Sequence, residues 1–208
     1  MTRPYPYRPY AALVLLLALL LLALPGAARA EMARWEIDQE HFAVGFLVDH
    51  IGFARVLGLF LRAEGHFSYN PETKEIGGGE WIIHTDSVFT NQPERDEHLR
   101  GSDFLDVERY PRMVFVPQVW EATGDGEGRL HGTLELLGQI RPVTLDARIN
   151  RIAQYPFPLG GLFSRPLVLG ASLQGTIKRS DWGMTYGLSR DLVGDEVELI
   201  LEFEARRR

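Results

Sequence analysis

"HFAVGFLVDHIGFARVLGLFLRAEGHFSY", from His41 to Tyr69, is the stretch that decides the fold. In its first part Phe42, Val44, Phe46 and Val48 recur at every second position. Successive side chains of an extended chain point to opposite sides, so these four share one face. Further along, Leu59, Leu61, Ala63, Gly65 and Phe67 alternate with Phe60, Arg62, Glu64 and His66. The period is two, which predicts antiparallel strands with one apolar side.

The same texture runs outward in both directions. Asn70 to Gly79, "NPETKEIGGG", reads as a turn and a strand start. Trp81, Ile83 and Thr85 then face away from Ile82, His84, Asp86 and Val88. "RMVFVPQVWEA" is a further strand, with Pro117 suited to an edge or a bulge. "GDGEGR" is a tight turn and "LHGTLELLG" the returning arm of a hairpin. Val143, Leu145, Ala147 and Ile149 alternate in the next run. After the Pro- and Gly-rich loop "QYPFPLGGLFSRP", two closing strands end with Val197, Leu199, Leu201 and Phe203 on one face. About eight strands result, with one helical insertion between Glu94 and Leu105 and no βαβ rhythm. The expected class is all-β, an eight-stranded antiparallel barrel or a sandwich. An eight-stranded barrel encloses just enough room for side chains or one small ligand. The 11 phenylalanines at alternating positions make that interior apolar.

The first 30 residues are of another kind. Arg3 and Arg8 precede the apolar run Ala11 to Leu24, and the segment closes on Ala28-Arg29-Ala30. A basic start, a short apolar core and a small-residue ending predict a signal peptide over 1–30, export to the periplasm and no stable membrane anchor after cleavage. Residues 31–208 form the expected single domain. Losing three arginines takes the 22 basic residues to 19 against 28 acidic ones, a net charge near −9. That acidity disfavours nucleic acid as a partner. With no cysteine, thiol catalysis, disulfides and Cys-ligated metals are excluded.

Several separated segments resemble the YceI family of exported lipid-binding proteins. They are "FLVDHIGFARVLGLF" (Phe46 to Phe60), "RDEHLRGSDFLDVERYPRMVF" (Arg95 to Phe115), "GTLELLGQIRPVTL" (Gly132 to Leu145), "IKRSDWGM" (Ile177 to Met184) and "VGDEVELILEFE" (Val193 to Glu204). The resemblance implies a lipocalin-like eight-stranded barrel with an apolar tunnel. It implies a long-chain amphiphile as ligand, typically a polyisoprenoid such as a quinone precursor or a prenyl phosphate. It implies no cofactor and no catalytic site. A homodimer is left open.

Phe42, Val44, Phe46, Val48, Phe53, Phe60, Trp81, Ile83, Phe104, Phe115, Leu134 and Leu145 are the candidate tunnel lining. A one-residue slip in strand facing would invert each set. The charged run at Arg95, Asp96, His98 and Arg100 admits two roles. As structure, it is a short helix capped by Thr90 or Asn91, ended by Gly101, and fixed as a lid by Arg95 and Asp96. As function, Arg95, His98 or Arg100 meets a polar head group at the tunnel mouth, since arginine suits phosphate. Arg179, Asp181 and Gly183 read as a turn, with Trp182 capping the barrel floor. The six histidines show no paired metal-ligand spacing, and no G-x-S-x-G elbow exists, so no metal and no catalytic residue is expected. The competing functions are a secreted hydrolase or isomerase acting on a lipid-like substrate, and an interaction module with a filled core.

Overall fold

Ten strands and one helix realise the alternating pattern in a computed structural model that describes residues 32–159 and 164–208. The expected signal segment lies outside the described residues. The strands are β1 (Ala33–His50), β2 (Ala54–Phe60), β3 (Ala63–Asn70), β4 (Glu75–His84), β5 (Val88–Phe89), β6 (Arg112–Ala122), β7 (Glu127–Leu136), β8 (Gln139–Gln154), β9 (Leu167–Lys178) and β10 (Val193–Arg207). Helix α1 (Pro93–Arg100) follows β5. The pairing order β10-β9-β8-β7-β6-β4-β3-β1 closes on itself because β1 also pairs with β10. The result is a closed eight-stranded antiparallel barrel. The remaining two strands extend its wall, β2 pairing with the second half of β1 and β5 with β2. Closure leaves the ring without a free edge.

β2 and β3 correct the expected run of alternation. Leu59 and Leu61 are exposed, whereas Phe60 and Ala63 pack inward. The chain kinks at Leu61–Arg62, where the Leu61 N–H donates to the Ser87 carbonyl at 3.0 Å and the Arg62 N–H to Ser87 Oγ at 3.1 Å. The kink consumes one residue, so the inward face changes parity. Pro117 sits at a β6–β7 bulge, where its missing N–H disturbs no ladder.

A second irregularity lies in β1. Ile37 pairs with Ala205 but Phe42 with Phe203, so β1 carries extra residues there. Asp38 holds them in place. Its carboxylate accepts from His41 Nδ1 at 2.9 Å, from the Glu40 N–H at 3.3 Å, and from Arg206.

Helix α1 starts differently from the expected cap. Its N-cap is Gln92, whose side-chain oxygen accepts from the Arg95 N–H, with Pro93 opening the first turn. Asn91 takes a left-handed backbone (φ 61°) and turns the chain into the helix. Gly101 ends it, as expected.

Candidate binding cavity

The barrel interior is divided along its axis. In the half that α1 covers lies a chamber of about 140 Å³. Val44, Phe46 and Val48 of β1, Phe60 of β2, Ile83 of β4, Phe115 of β6, Leu134 of β7 and Leu145 of β8 line it. Phe104, from the turn after α1, closes it together with Leu99 and Leu105. Sequence reasoning named nine of these. It missed Leu99, Leu105, Met113, Met184 and the β10 residues Leu199 and Leu201, although the alternation of β10 was legible.

Arg179 is the one charged residue in the chamber wall among the described residues. It is buried, and its guanidinium donates to four main-chain carbonyls: Met184 at 2.7 Å, Gly194 at 2.7 Å, Tyr186 at 2.8 Å and Val193 at 2.8 Å. Burial lowers its pKa, opposed by the charge of Asp195. Asp195 is itself engaged by the Ser180 N–H at 2.9 Å and Oγ at 2.8 Å. The residue expected to be an ordinary turn arginine is the clamp that gathers the chain from Met184 to Gly194 against the barrel. Trp182, expected to cap the barrel floor, lies instead at the chamber end that α1 covers: it is buried, and its indole N–H donates at 3.2 Å to the carbonyl of the chamber residue Leu134.

A vestibule of about 240 Å³ adjoins the chamber, and Phe46, Val48, Leu99, Phe104 and Val193 belong to both walls. It adds polar groups from Asp49, His50, Arg95 and His98. His98, Phe104 and Tyr186 pack their rings at 4.9 to 5.2 Å, and His98 Nε2 lies 2.9 Å from Asp103 Oδ2. Arg95 donates to Thr90 Oγ1 and to the Thr90 carbonyl, both at 2.7 Å. Thr90 in turn donates through its N–H to Asp96 Oδ1 at 2.7 Å and through its hydroxyl to the same oxygen. Asp96 is buried and Arg100 reaches Glu97 and the Val88 carbonyl, so neither faces the vestibule.

Three of the expected lining residues lie elsewhere. Phe53 is 91% exposed in the β1–β2 turn, where left-handed Ile51 (φ 55°) and Gly52 (φ 70°) reverse the chain and carry its side chain outward. Phe42 and Trp81 are buried, but beyond the chamber. There Phe42, Phe67, Trp81 and Phe203 form a cluster of rings touching Phe115, with centroids 5.2 to 6.2 Å apart. Behind it lies a small pocket of about 40 Å³, lined by Trp120, Ala147, Leu169 and Ala171 among others. Among the described residues, the indole N–H groups of Trp81 and Trp120 meet no hydrogen-bond partner. An unmade hydrogen bond of a buried donor costs about 1 to 3 kcal/mol.

Outside the barrel, Asp38, His41 and Glu204 bring ligand atoms within 4.8 Å of one another. Asp38 is already paired with Arg206, so a cation would compete with the guanidinium. A wider, more open cleft of about 720 Å³ nearby mixes the polar Glu40, His41, Asn150 and Arg151 with Tyr155, Val168 and the outer sides of Phe42 and Phe203. The chamber and its vestibule are the sheltered apolar space.

Fold and site together define a small closed β-barrel with a divided apolar interior whose mouth is covered by a short helix. The model of the YceI-like domain matches residues 35–205, and the chain belongs to that family. It is 33% identical over 197 residues to a UPF0312 protein of Pectobacterium carotovorum, covering 94% of this chain and 97% of the relative. A UPF0312 protein of Yersinia pseudotuberculosis is 35% identical over 180 residues, 86% of this chain and 88% of the relative. Among solved structures, the Campylobacter jejuni YceI protein superposes with a TM-score of 0.64 at 29% identity, over 77% of this chain and 90% of its own. Burkholderia cenocepacia BcnA reaches a TM-score of 0.68 at 19% identity, covering 81% and 98%. A polyisoprenoid-binding domain from Saccharophagus degradans reaches 0.58 at 14% identity, covering 86% and 100%.

Proposed function

We propose that this protein is a periplasmic carrier that sequesters a long-chain amphiphilic lipid of the polyisoprenoid class, a quinone precursor or a prenyl phosphate, without transforming it. The observation that carries the reading is the chamber wall: apolar on all sides except Arg179, whose guanidinium is engaged by main-chain carbonyls. Such a wall rewards any buried methylene and activates no bond. Each buried methylene contributes about 0.8 kcal/mol, so a five-carbon prenyl unit contributes roughly 3 to 4 kcal/mol before entropy losses. The polar head remains in the vestibule, within reach of Arg95 and His98. The Saccharophagus domain, described as polyisoprenoid-binding, supports the ligand class by analogy of fold.

Size sharpens the reading. An apolar cavity of about 150 Å³ takes a benzene-sized guest. The 140 Å³ chamber therefore holds the end of a chain, while the vestibule takes the units nearer the head. The test is native mass spectrometry and lipid extraction of protein purified from the periplasm, followed by incubation with a prenyl phosphate. Co-purified prenyl lipid recovered with its phosphate intact is the expected result. Release of phosphate would establish the competing hydrolase, and a protein that neither co-purifies with nor takes up lipid would end the carrier reading. N-terminal sequencing of the same material should begin at Glu31.

A further inference from the structure

Three strands carry the interior from one compartment to the next in a single inward step. On β4 the chamber residue Ile83 is followed inward by Trp81, on β10 Leu201 by Phe203, and on β1 Val44 by Phe42. In each case an aliphatic wall gives way to an aromatic ring at the same level of the barrel. Phe203 is the hub, with its ring centroid 5.3 Å from Trp81, 5.9 Å from Phe67 and 6.0 Å from Phe42. Beyond the rings lies the small pocket, where Ala147 and Ala171 leave room among larger residues such as Trp120, Leu169 and Leu173. The interior is thus two voids with a wall of rings between them.

We propose that this aromatic wall is the specificity determinant for ligand length: it stops the chain at the chamber floor, and Phe203 is the residue that holds the stop in place. The inference rests on the lipid-binding reading. Within the wall the rings hold one another through edge-on and tilted contacts. Trp35 and Trp182 anchor their indole N–H groups on carbonyls at 3.0 and 3.2 Å, whereas the Trp81 N–H meets no acceptor among the described residues. No side-chain hydrogen bond among the described residues therefore has to break for the wall to open. The small pocket gives an opened wall somewhere to lead. Removing Phe203 joins the chamber to the small pocket and to the outer cleft that Phe42 and Phe203 also line, and leaves the chamber wall nearer the mouth intact.

The experiment is a titration of geraniol, farnesol, geranylgeraniol and longer prenyl alcohols against the wild-type protein and three variants. Phe203→Ala opens the wall, Phe203→Leu opens it more gently should the alanine variant unfold, and Leu169→Ala enlarges the small pocket while leaving every ring of the wall in place. Circular dichroism first establishes which variants are folded. In the wild type, affinity should climb by on the order of tenfold or more per prenyl unit, then level off. In the Phe203 variants the levelling should move to a longer homologue by about one five-carbon unit, with short homologues bound as before. Leu169→Ala should level off with the wild type. A folded Phe203 variant whose plateau does not move, beside a wild type that shows one, overturns the wall. An equal shift in Leu169→Ala overturns it too, because general loosening would then explain the effect. Wild-type affinity independent of length would instead remove the binding reading and the wall together.

Discussion

Asp96→Ala distinguishes a lid-fixing carboxylate from a ligand-binding one. The side chain is 6% exposed, and its Oδ1 accepts two hydrogen bonds, from the N–H and the hydroxyl of Thr90. Thr90 is buried as well, and its hydroxyl and carbonyl receive the Arg95 guanidinium. Truncation leaves the Thr90 N–H without a partner and loosens the oxygen that Arg95 grips. Hydrogen bonds to a charged group contribute about 1.5 to 3 kcal/mol each, and a buried orphan donor costs about 1 to 3. Relief of the buried carboxylate's own desolvation offsets part of this, and the net loss should be about 3 kcal/mol. For a domain of this size each kcal/mol lowers the melting temperature by roughly 2 to 4 °C, so a fall of about 6 to 12 °C is expected.

The assay is urea and thermal unfolding beside a prenyl-alcohol titration, with Asp96→Asn as companion. Asparagine keeps an acceptor oxygen but loses the charge, so it should fall between wild type and alanine. Ligand affinity should drop only as far as the lid loosens. An Asp96→Ala protein that melts with the wild type yet no longer binds would refute the reasoning and make Asp96 part of a head-group site.

Arg179→Leu should destabilise by about 3 kcal/mol or more by urea melt, because four carbonyls lose their donor, and Arg179→Lys should recover only part; equal melts for all three would dissolve the clamp. Gly58→Ala should weaken ligand binding and cost about 1 to 3 kcal/mol, since a Cβ there would lie 2.1 Å from Phe46 Cζ and force the ring toward the cavity; unchanged affinity and stability would show that the ring has free space. For pH, the hydrogen bond to Asp38 raises the His41 pKa above its ordinary 6.5, with burial opposing it. Burial opposes ionisation of Asp38, yet hydrogen bonds from His41, Arg206 and the Glu40 N–H outweigh it and hold its pKa below the ordinary 3.8. The His41 contribution is complete below pH 6.5 and lost as pH rises through the raised value; that of Asp38 is complete above 3.8 and lost as pH falls through the depressed one. The stability difference between wild type and His41→Gln should therefore be largest near pH 5 and shrink toward pH 9; a difference growing with pH would contradict the pairing.

The parity of the strands was legible because burial and the pleat share a period. Val44, Phe46, Ile83, Phe115, Leu134 and Leu145 could be placed on the inward face from alternation alone. Depth along the barrel could not, since Phe42 and Val44 sit on one face at equivalent positions while one belongs to the aromatic wall and the other to the chamber. Parity itself failed where the chain stopped being regular. Phe53 follows a left-handed pair whose signal, Gly52 between two apolar runs, was present in the sequence. The kink at Leu61–Arg62 had no local signal, because Ser87, which fixes it, lies 25 residues away. Arg179 was equally opaque: its acceptors are carbonyls, which every residue carries, and only the fold brings four of them together.

The glycines explain how so narrow a barrel keeps any void at all. A ring on an inward position of an eight-stranded barrel would ordinarily cross the bore and fill it. Here Phe46 pairs directly with Gly58 and Trp81 with Gly65, and a Cβ on either glycine would lie within 3 Å of the ring. Phe115 meets Gly132 and Trp120 meets Gly128 on the neighbouring strand in the same way, with built Cβ distances of 2.5 Å. Each ring thus lies over a missing side chain, against the wall, rather than projecting its full length into the interior. At the chamber this leaves open space beside Phe46. At the wall, Phe67, Trp81 and Phe203 converge on one level, and the space that Gly65 yields to Trp81 is not enough to keep the bore open. The distribution of glycines and rings over paired strands therefore determines where the barrel is hollow and where it is closed, and so the length of chain it can shelter.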